Sequence, residues 1–336
     1  MAAIGYSNAR RPPNAVIVAA MRFATFLHQG TEQAGLVDGD RLLPLEPGVT
    51  VRGLLEAGTL LAAEPAAAAR PVPLAEVRLL PPLGPASIRD FVGFEAHIEG
   101  VARAQEGTGI PPAWYEAPAF YFTNPHAVIG AHDDVPIFYD SEAFDFECEL
   151  AVVIGRPGRD LTPEQAREHI AGYTLFGDWS ARDVQRLESR LPFGFAKGKD
   201  GAHTLGPWLV TADELEPYRQ PDGYLDITLT VALNGQVLAA DSLASMSWLL
   251  EEQVSYASRG AWIRPGDVLG SGTFGGGCLA EFWGRAGRRE PPPLQPGDVV
   301  TFTAEAIGTI SNRIVPAAPA PPPVPAARSR PRGKRH

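Results

Sequence analysis

Between positions 144 and 154 the chain alternates. Phe144, Phe146, Cys148, Leu150, Val152 and Ile154 fall on one side of an extended strand, and Asp145, Glu147 and Glu149 fall on the other. Ala151 and Val153 continue the acidic side with apolar residues, so that side is expected to be buried as well. Related patterns predict strands over 119–123, 173–176, 209–210, 225–233, 267–270 and 298–304, separated by turn signals such as Asn234-Gly235 and Pro265-Gly266-Asp267. Helical spacing predicts helices over 163–170, 179–190 and 247–260, and another that Ser87 caps and that runs to about 105. Strands this numerous, without regular βαβ alternation, argue against a doubly wound sheet. They predict an α+β fold, a mixed β-roll or sandwich over 85–315.

Upstream, 21–80 reads as a small β-rich module. It has strand patterns over 22–27 and 33–43, the second bent at Asp38-Gly39-Asp40, and a short helix over 51–57. The segment 71–85, with Pro73, Pro81, Pro82 and Gly84 inside it, reads as a linker. Residues 1–20 lack a secretory pattern, since Arg10 and Arg11 are followed by two prolines and only a short apolar run; a disordered leader is expected, with the fold starting at Met21. Residues 316–336 are proline-rich and then basic (Arg328, Arg330, Arg332, Lys334, Arg335), the composition of a disordered tail.

Composition narrows the function. The net charge of -10 argues against nucleic acid or an anionic membrane surface as partner of the body. No apolar run approaches the roughly 18 residues of a membrane helix, and cytoplasmic residence is expected. Cys148 and Cys278 are the only cysteines, which excludes a disulfide scaffold and a cysteine-based zinc cluster.

Three constellations carry chemistry. Glu147 and Glu149 on one strand face repel each other unless water or a hard cation intervenes; a solvent-facing edge strand and a metal site are both open. Asp178 stands where a strand gives way to a helix, the place of a simple N-cap; Arg182 and Gln185, four and seven residues on, share its helical face and would suit an anionic, oxygen-rich ligand. Asp90 and His97, seven residues apart, share a face of the helix expected after Ser87. Lys197 follows in the glycine-rich run 194–201. The run 270–275 matches the dinucleotide fingerprint G-x-G-x-x-G, but Gly276, Gly277 and Trp283-Gly284 speak against the required helix, and nucleotide binding is not expected.

Asp90-Phe91 with His97, Phe146-Glu147-Cys148-Glu149-Leu150, the run from Asp178 to Gln185, Lys197, Gly206-Pro207-Trp208 and Gly272-Thr273 together resemble the fumarylacetoacetate hydrolase family in order and spacing, over about 85–312. The resemblance implies that Asp90, Glu147, Glu149 and Asp178 bind Mg²⁺ or Ca²⁺ (or Mn²⁺). It implies that His97, oriented by Glu281, activates water, and that Arg182, Gln185, Lys197, Tyr121 and Thr273 hold substrate. Two residues are inserted between Lys197 and Pro207 relative to the animal enzyme, which makes Lys199 a rival for the lysine's place. The implied activity is hydrolysis of a C–C bond in a 1,3-dicarbonyl or acylpyruvate-type substrate, a catabolic reaction, in a homodimer; the apolar-rich stretch 243–256 offers an interface helix. The alternatives are decarboxylation or tautomerisation of an oxaloacetate-like 2-oxo acid, hydration of an enoate, and a catalytically silent ligand-binding protein.

Overall fold

The computed structural model describes residues 21–104, 109–138, 141–191 and 194–319, together with 321, 322, 324, 325 and 328. The leader expected over 1–20, and most of the tail expected over 316–336, lie outside these.

β1 (Arg22–His28) turns through Gln29 and Gly30, both at positive φ, into β2 (Thr31–Asp38). Gly39, at φ 58°, closes the next hairpin into β3 (Arg41–Pro44), where the Asp-Gly signal puts it. α1 (Val51–Ala57) is capped by the Thr50 side chain and buries Val51 and Leu55. β4 (Val72–Pro73) and β5 (Arg78–Leu80) then pair with β3 and β1, so the segment expected as a linker is sewn into the sheet.

The larger part follows. Its first half comprises β6 (Ile88–Phe91), α2 (Glu95–Ala104), β7 (Phe120–Thr123), β8 (Val128–Ile129), β9 (Val135–Pro136), β10 (Phe144–Asp145) and β11 (Cys148–Ile154). Then come α3 (Pro163–Arg167), β12 (Ile170–Asp178), β13 (Ser180–Ala181), α4 (Arg182–Glu188), β14 (His203–Thr211), α5 (Ala212–Leu215), β15 (Thr228–Leu233) and β16 (Gln236–Ser242). α6 (Leu250–Ser258), β17 (Val268–Gly270), α7 (Leu279–Ala286), β18 (Val299–Ala304) and β19 (Gly308–Val315) complete it.

One sheet runs β4-β3-β2-β1-β14-β12-β11-β17-β6-β7, and a second runs β16-β15-β18-β19-β9. The fold is α+β, with the large sheet mixed: β17 and β6 pair in parallel and the neighbouring pairs are antiparallel. β11 is buried on both faces. Leu150, Val152 and Ile154 pack toward the second sheet with Val231, Phe302 and Ile310, while Ala151 and Val153 pack with Phe23, Val51 and Leu55. That double burial explains why its acidic side turns apolar after Glu149. The module's β1 pairs directly with β14, so one sheet spans both parts of the chain.

Several boundaries differ from the sequence reading, each for a tertiary reason. Ser87 caps no helix. Residues 88–91 form β6, because pairing with β17 and full burial of Ile88 and Phe91 override local propensity. Asp90 and His97 therefore share no helix face; α2 begins only at Glu95. The strand expected over 144–154 breaks at Phe146-Glu147, and β10 pairs with β13. The helix expected from 179 begins at Arg182, so Asp178 is the last residue of β12 and not an N-cap. A helix does follow the 270–275 glycine run, but only at Leu279. α6 is narrower than expected and packs Leu250, Val254 and Ala257 into the core of the chain itself.

Candidate active site

Four carboxylates converge from neighbouring strands. Glu149 lies on β11, Asp178 ends β12, Asp90 sits on β6, and Glu147 occupies the break before β11; all four are buried. The register explains the meeting. β17 lies between β11 and β6, with Gly270 opposite both Ala151 and Asp90. A Cβ at Gly270 would stand 2.6 Å from Asp90 Oδ1 and 2.8 Å from Glu149 Oε2, so only glycine lets these two side chains approach across the strand. Asp178 is drawn in by its backbone, whose N–H donates to the Glu147 carbonyl at 3.0 Å.

Lys199 enters this cluster. Its Nζ donates to Asp178 Oδ2 at 2.5 Å and also to Glu147 Oε2. Lys197, the expected lysine, is exposed: it pairs with Asp200 at 2.5 Å and lies over the Phe138 ring, outside the cluster. The short 3₁₀ turn over 197–199 points the two lysines apart. His203 on β14, unnoticed in the sequence, lies 3.0 Å from Asp178 Oδ1 by its Nδ1, without the alignment of a hydrogen bond. The pairing of β14 with β12 sets Asp178 opposite His203. Thr273 Oγ1 and the Gly272 N–H donate to Glu149 at 3.1 and 2.9 Å, which makes Thr273 a support for a carboxylate in this arrangement.

The electrostatics divide the cluster. Burial opposes ionisation of Asp178 and Glu147, but Lys199 beside the first, and Arg182 with Lys199 beside the second, hold both carboxyls below their usual range. Among the described residues no cation pairs directly with Asp90 or Glu149, and the charge of Lys199 offsets their burial only in part. Burial, followed by the charge of Glu147, pushes Glu149 up to about 8. Burial, followed by the charge of Glu149, pushes Asp90 well up too. The Tyr121 hydroxyl faces Asp178 Oδ2 at 2.6 Å and Asp90 Oδ2 at 2.8 Å. One phenolic proton serves only one of them, so the pair is left short of a donor or a cation.

Asp90 Oδ1 is buried with no hydrogen-bond partner among the described residues. An all-oxygen set of four buried carboxylates, under-compensated on the Asp90–Glu149 side, fits a hard divalent cation. A second group is His97, Glu147 and Cys278, each offering one ligand atom within 4.8 Å of the others. It fits less well. Burial, followed by Asp145, pushes the Cys278 thiol well up, and His97 is already engaged by Glu281.

His97 stands on the first turns of α2, and its Nδ1 meets Glu281 Oε1, from the first turn of α7, at 2.9 Å. The Gly276 N–H fixes the other Glu281 oxygen at 2.7 Å. His97 Nε2 faces the carboxylate cluster, 3.7 Å from Glu147 Oε1. Arg182, first residue of α4, donates to Glu147 Oε1 at 2.7 Å, to Asp145 at 2.8 Å and to the Gln185 oxygen at 3.2 Å. The expected metal ligands, base, orienting carboxylate, arginine, glutamine and tyrosine thus form one connected array.

Residues 86–315 match the family model described as "Fumarylacetoacetate (FAA) hydrolase C-terminal", and 21–82 match "Rv2993c-like, N-terminal". The chain belongs to the fumarylacetoacetate hydrolase family. It is similar to the fumarylacetoacetase of Oryza sativa subsp. japonica, with 29% identity over 311 residues, 74% of this chain and 72% of that one. It is also similar to the oxaloacetate tautomerase YisK of Bacillus subtilis, with 31% identity over 204 residues, 59% of this chain and 62% of that one. Among solved structures, a fumarylacetoacetate hydrolase from Exiguobacterium antarcticum superposes with a TM-score of 0.71 at 27% identity, covering 89% of this chain and all of that one. This chain is accordingly an enzyme-family member, and its relatives do more than one kind of chemistry. No helix among the described residues is long and apolar enough to cross a membrane.

A cavity of about 370 Å³ opens beside the family's arginine and glutamine, lined by Arg103, Arg182, Gln185, Arg186, Arg288 and Arg289 among others, and by no acidic residue. Gln185 is buried there; its oxygen accepts from Arg182 while its Nε2 has no partner among the described residues. A larger cavity, about 580 Å³, lies against β1, β2 and α1 and contains none of the site residues.

Proposed function

We propose that this protein is a divalent-metal-dependent hydrolase that cleaves a C–C bond in a 1,3-dicarbonyl or acylpyruvate-type substrate. The observation that carries the reading is the His97–Glu281 pair at 2.9 Å, with the imidazole's free nitrogen turned toward the carboxylate cluster. Asp90, Glu147, Glu149 and Asp178 would hold Mg²⁺, Mn²⁺ or Ca²⁺. The cation, when bound, supplies Lewis acidity to a carbonyl oxygen.

The remaining steps belong to the side chains. Glu281 accepts from Nδ1–H, which leaves Nε2 of a neutral imidazole free to take a proton from water. The hydroxide adds to the carbonyl carbon, and Arg182, Lys199 and the Gln185 amide lie where they can offset the charge that develops on oxygen. The C–C bond then breaks, its electron pair leaving on the carbon next to the second carbonyl, and the His97 imidazolium returns the proton. The arginine-lined cavity beside Arg182 and Gln185 suits the anionic portion of such a substrate.

A second reading is tautomerisation or decarboxylation of an oxaloacetate-like acid, supported by the likeness to YisK and by Lys199, a buried cation beside Glu147 that would offset the charge of an enolate. The two readings part on water. With Mg²⁺ or Mn²⁺ present, turnover of an acylpyruvate to pyruvate and a carboxylic acid supports hydrolysis. Enol-to-keto conversion of oxaloacetate, with acylpyruvates untouched, replaces it. We also propose a homodimer, the assembly implied by the family resemblance.

A further inference from the structure

The sequence places Asp145 in line with Glu147 and Glu149, but the structure turns it away from them. The break at Phe146-Glu147 moves Asp145 onto β10, and its buried carboxylate leaves the metal-ligand cluster for the N-terminus of α7. There its Oδ1 accepts from the Leu279 N–H at 2.7 Å and its Oδ2 from the Ala280 N–H at 3.0 Å. The residue at the N-cap position, Cys278, supplies no side-chain cap. Asp145 is therefore the cap of α7, delivered from a strand more than a hundred residues away, and its charge lies at the positive end of the helix dipole.

The Phe146 N–H also donates to Asp145 Oδ1 at 2.7 Å, and the Arg182 Nε donates to Oδ2 at 2.8 Å. Through these contacts Asp145 joins two groups that must keep their spacing. The next residue of α7 after Ala280 is Glu281, which orients His97. On the same edge of the Arg182 guanidinium, Nη2 lies 2.8 Å from Asp145 Oδ2 and donates to Glu147 Oε1 at 2.7 Å, and that glutamate oxygen stands 3.7 Å from His97 Nε2. Glu147, Arg182, Asp145, the first turn of α7, Glu281 and His97 thus close a ring. Removing Asp145 opens it at the point where the base's helix is tied to the ligand's arginine.

We infer that Asp145 is a positioning residue for the reaction, which sets the His97–Glu281 pair against Glu147 by capping α7 and holding Arg182. The inference rests on the proposed roles of His97 and Glu147, and its test separates the two. Asp145→Asn, Glu281→Gln and the double variant are prepared in the full chain and loaded with Mn²⁺. Asparagine keeps the shape and one acceptor but brings an N–H₂ against donors. Calorimetry of Mn²⁺ binding needs no turnover: Asp145→Asn is expected to weaken affinity about tenfold, the low end of what outer-shell changes cost, and parental affinity overturns the inference. In turnover, Asp145→Asn is expected to lower kcat by about 10- to 100-fold with KM changed less than about threefold. Once Glu281→Gln is in place, adding Asp145→Asn should cost less than about threefold more. An equal fold-loss in both backgrounds overturns the inference, since a role in stability alone would be additive. Should Asp145→Asn fail to fold, Asp145→Ser, which retains a capping hydroxyl, takes its place under the same expectations. If the parent turns over neither acylpyruvates nor oxaloacetate, the functional reading falls, and the calorimetric comparison still decides the role of Asp145.

Discussion

Lys199 Nζ reaches Asp178 Oδ2 at 2.5 Å inside the carboxylate cluster, while Lys197, two residues earlier on the same turn, points to solvent. A buried ammonium shared by two carboxylates is costly to remove, because it leaves their charges uncompensated. Lys199→Met is therefore expected to lower kcat by roughly 10²- to 10³-fold, the scale seen when a donor to developing oxyanion charge is lost. Lys197→Met should stay within about threefold of the parent, as for exposed pairs. Steady-state kinetics of the two variants checks this; the reverse ranking would show that Lys197 is the functional lysine.

The His97–Glu281 pair makes a second prediction. His97→Ala should lower the hydrolytic kcat by roughly 10²- to 10⁴-fold with metal affinity retained, and Glu281→Gln should lower it by a comparable or smaller factor. Acylpyruvate hydrolysis by His97→Ala at the parental rate would remove water activation from the mechanism.

The metal site has a pH signature. Glu149 has its carboxyl raised from 4.5 to about 8 by burial and by Glu147's charge. A group raised on folding contributes stability that is full below its unfolded pKa and is lost as pH climbs through the folded one. The metal-free protein should therefore lose stability from this group between about pH 4.5 and 8. Metal affinity should rise over the same interval, with proton release on binding. Calorimetry in buffers of different ionisation enthalpy measures the protons, and Glu149→Ala should abolish binding while leaving the fold intact.

Trimming the chain to residues 21–315 should leave melting temperature and turnover unchanged. The chain outside these limits lacks the apolar periodicity that offsets ordering entropy. A marked loss in either measurement would show that one end docks onto the body.

Light scattering should give twice the chain mass. Phe122 on the edge strand β7 and Trp262, both exposed large apolar side chains, are candidate contacts for the second copy. A monomer mass across a wide concentration range would refute the dimer.

Much of the site was legible because ligand residues on paired strands leave local patterns. Glu147-x-Glu149 and the run after Asp178 are visible without a fold. The lysine was not resolvable, because which of two residues on one turn points inward depends on Glu147 and Asp178 waiting on other strands. His203 carries no local signal at all; it matters only because β14 lies beside β12. Asp145 misled for the opposite reason: strict alternation placed it with the glutamates, and the break at 146–147, set by the pairing of β10 with β13, reversed its direction. The segment after Ser87 fooled helical spacing because a parallel strand partner, Val268–Gly270, outweighed it.

The pairing of β1 with β14 bears on how the chain tolerates change. With Arg22 and Phe23 laid against Val210 and Leu209, the module covers what would otherwise be a bare flank of the central sheet. Deleting it would expose a row of unpaired backbone groups on β14, a template for intermolecular strand addition. The module thus shields a strand flank that its removal would open to self-association.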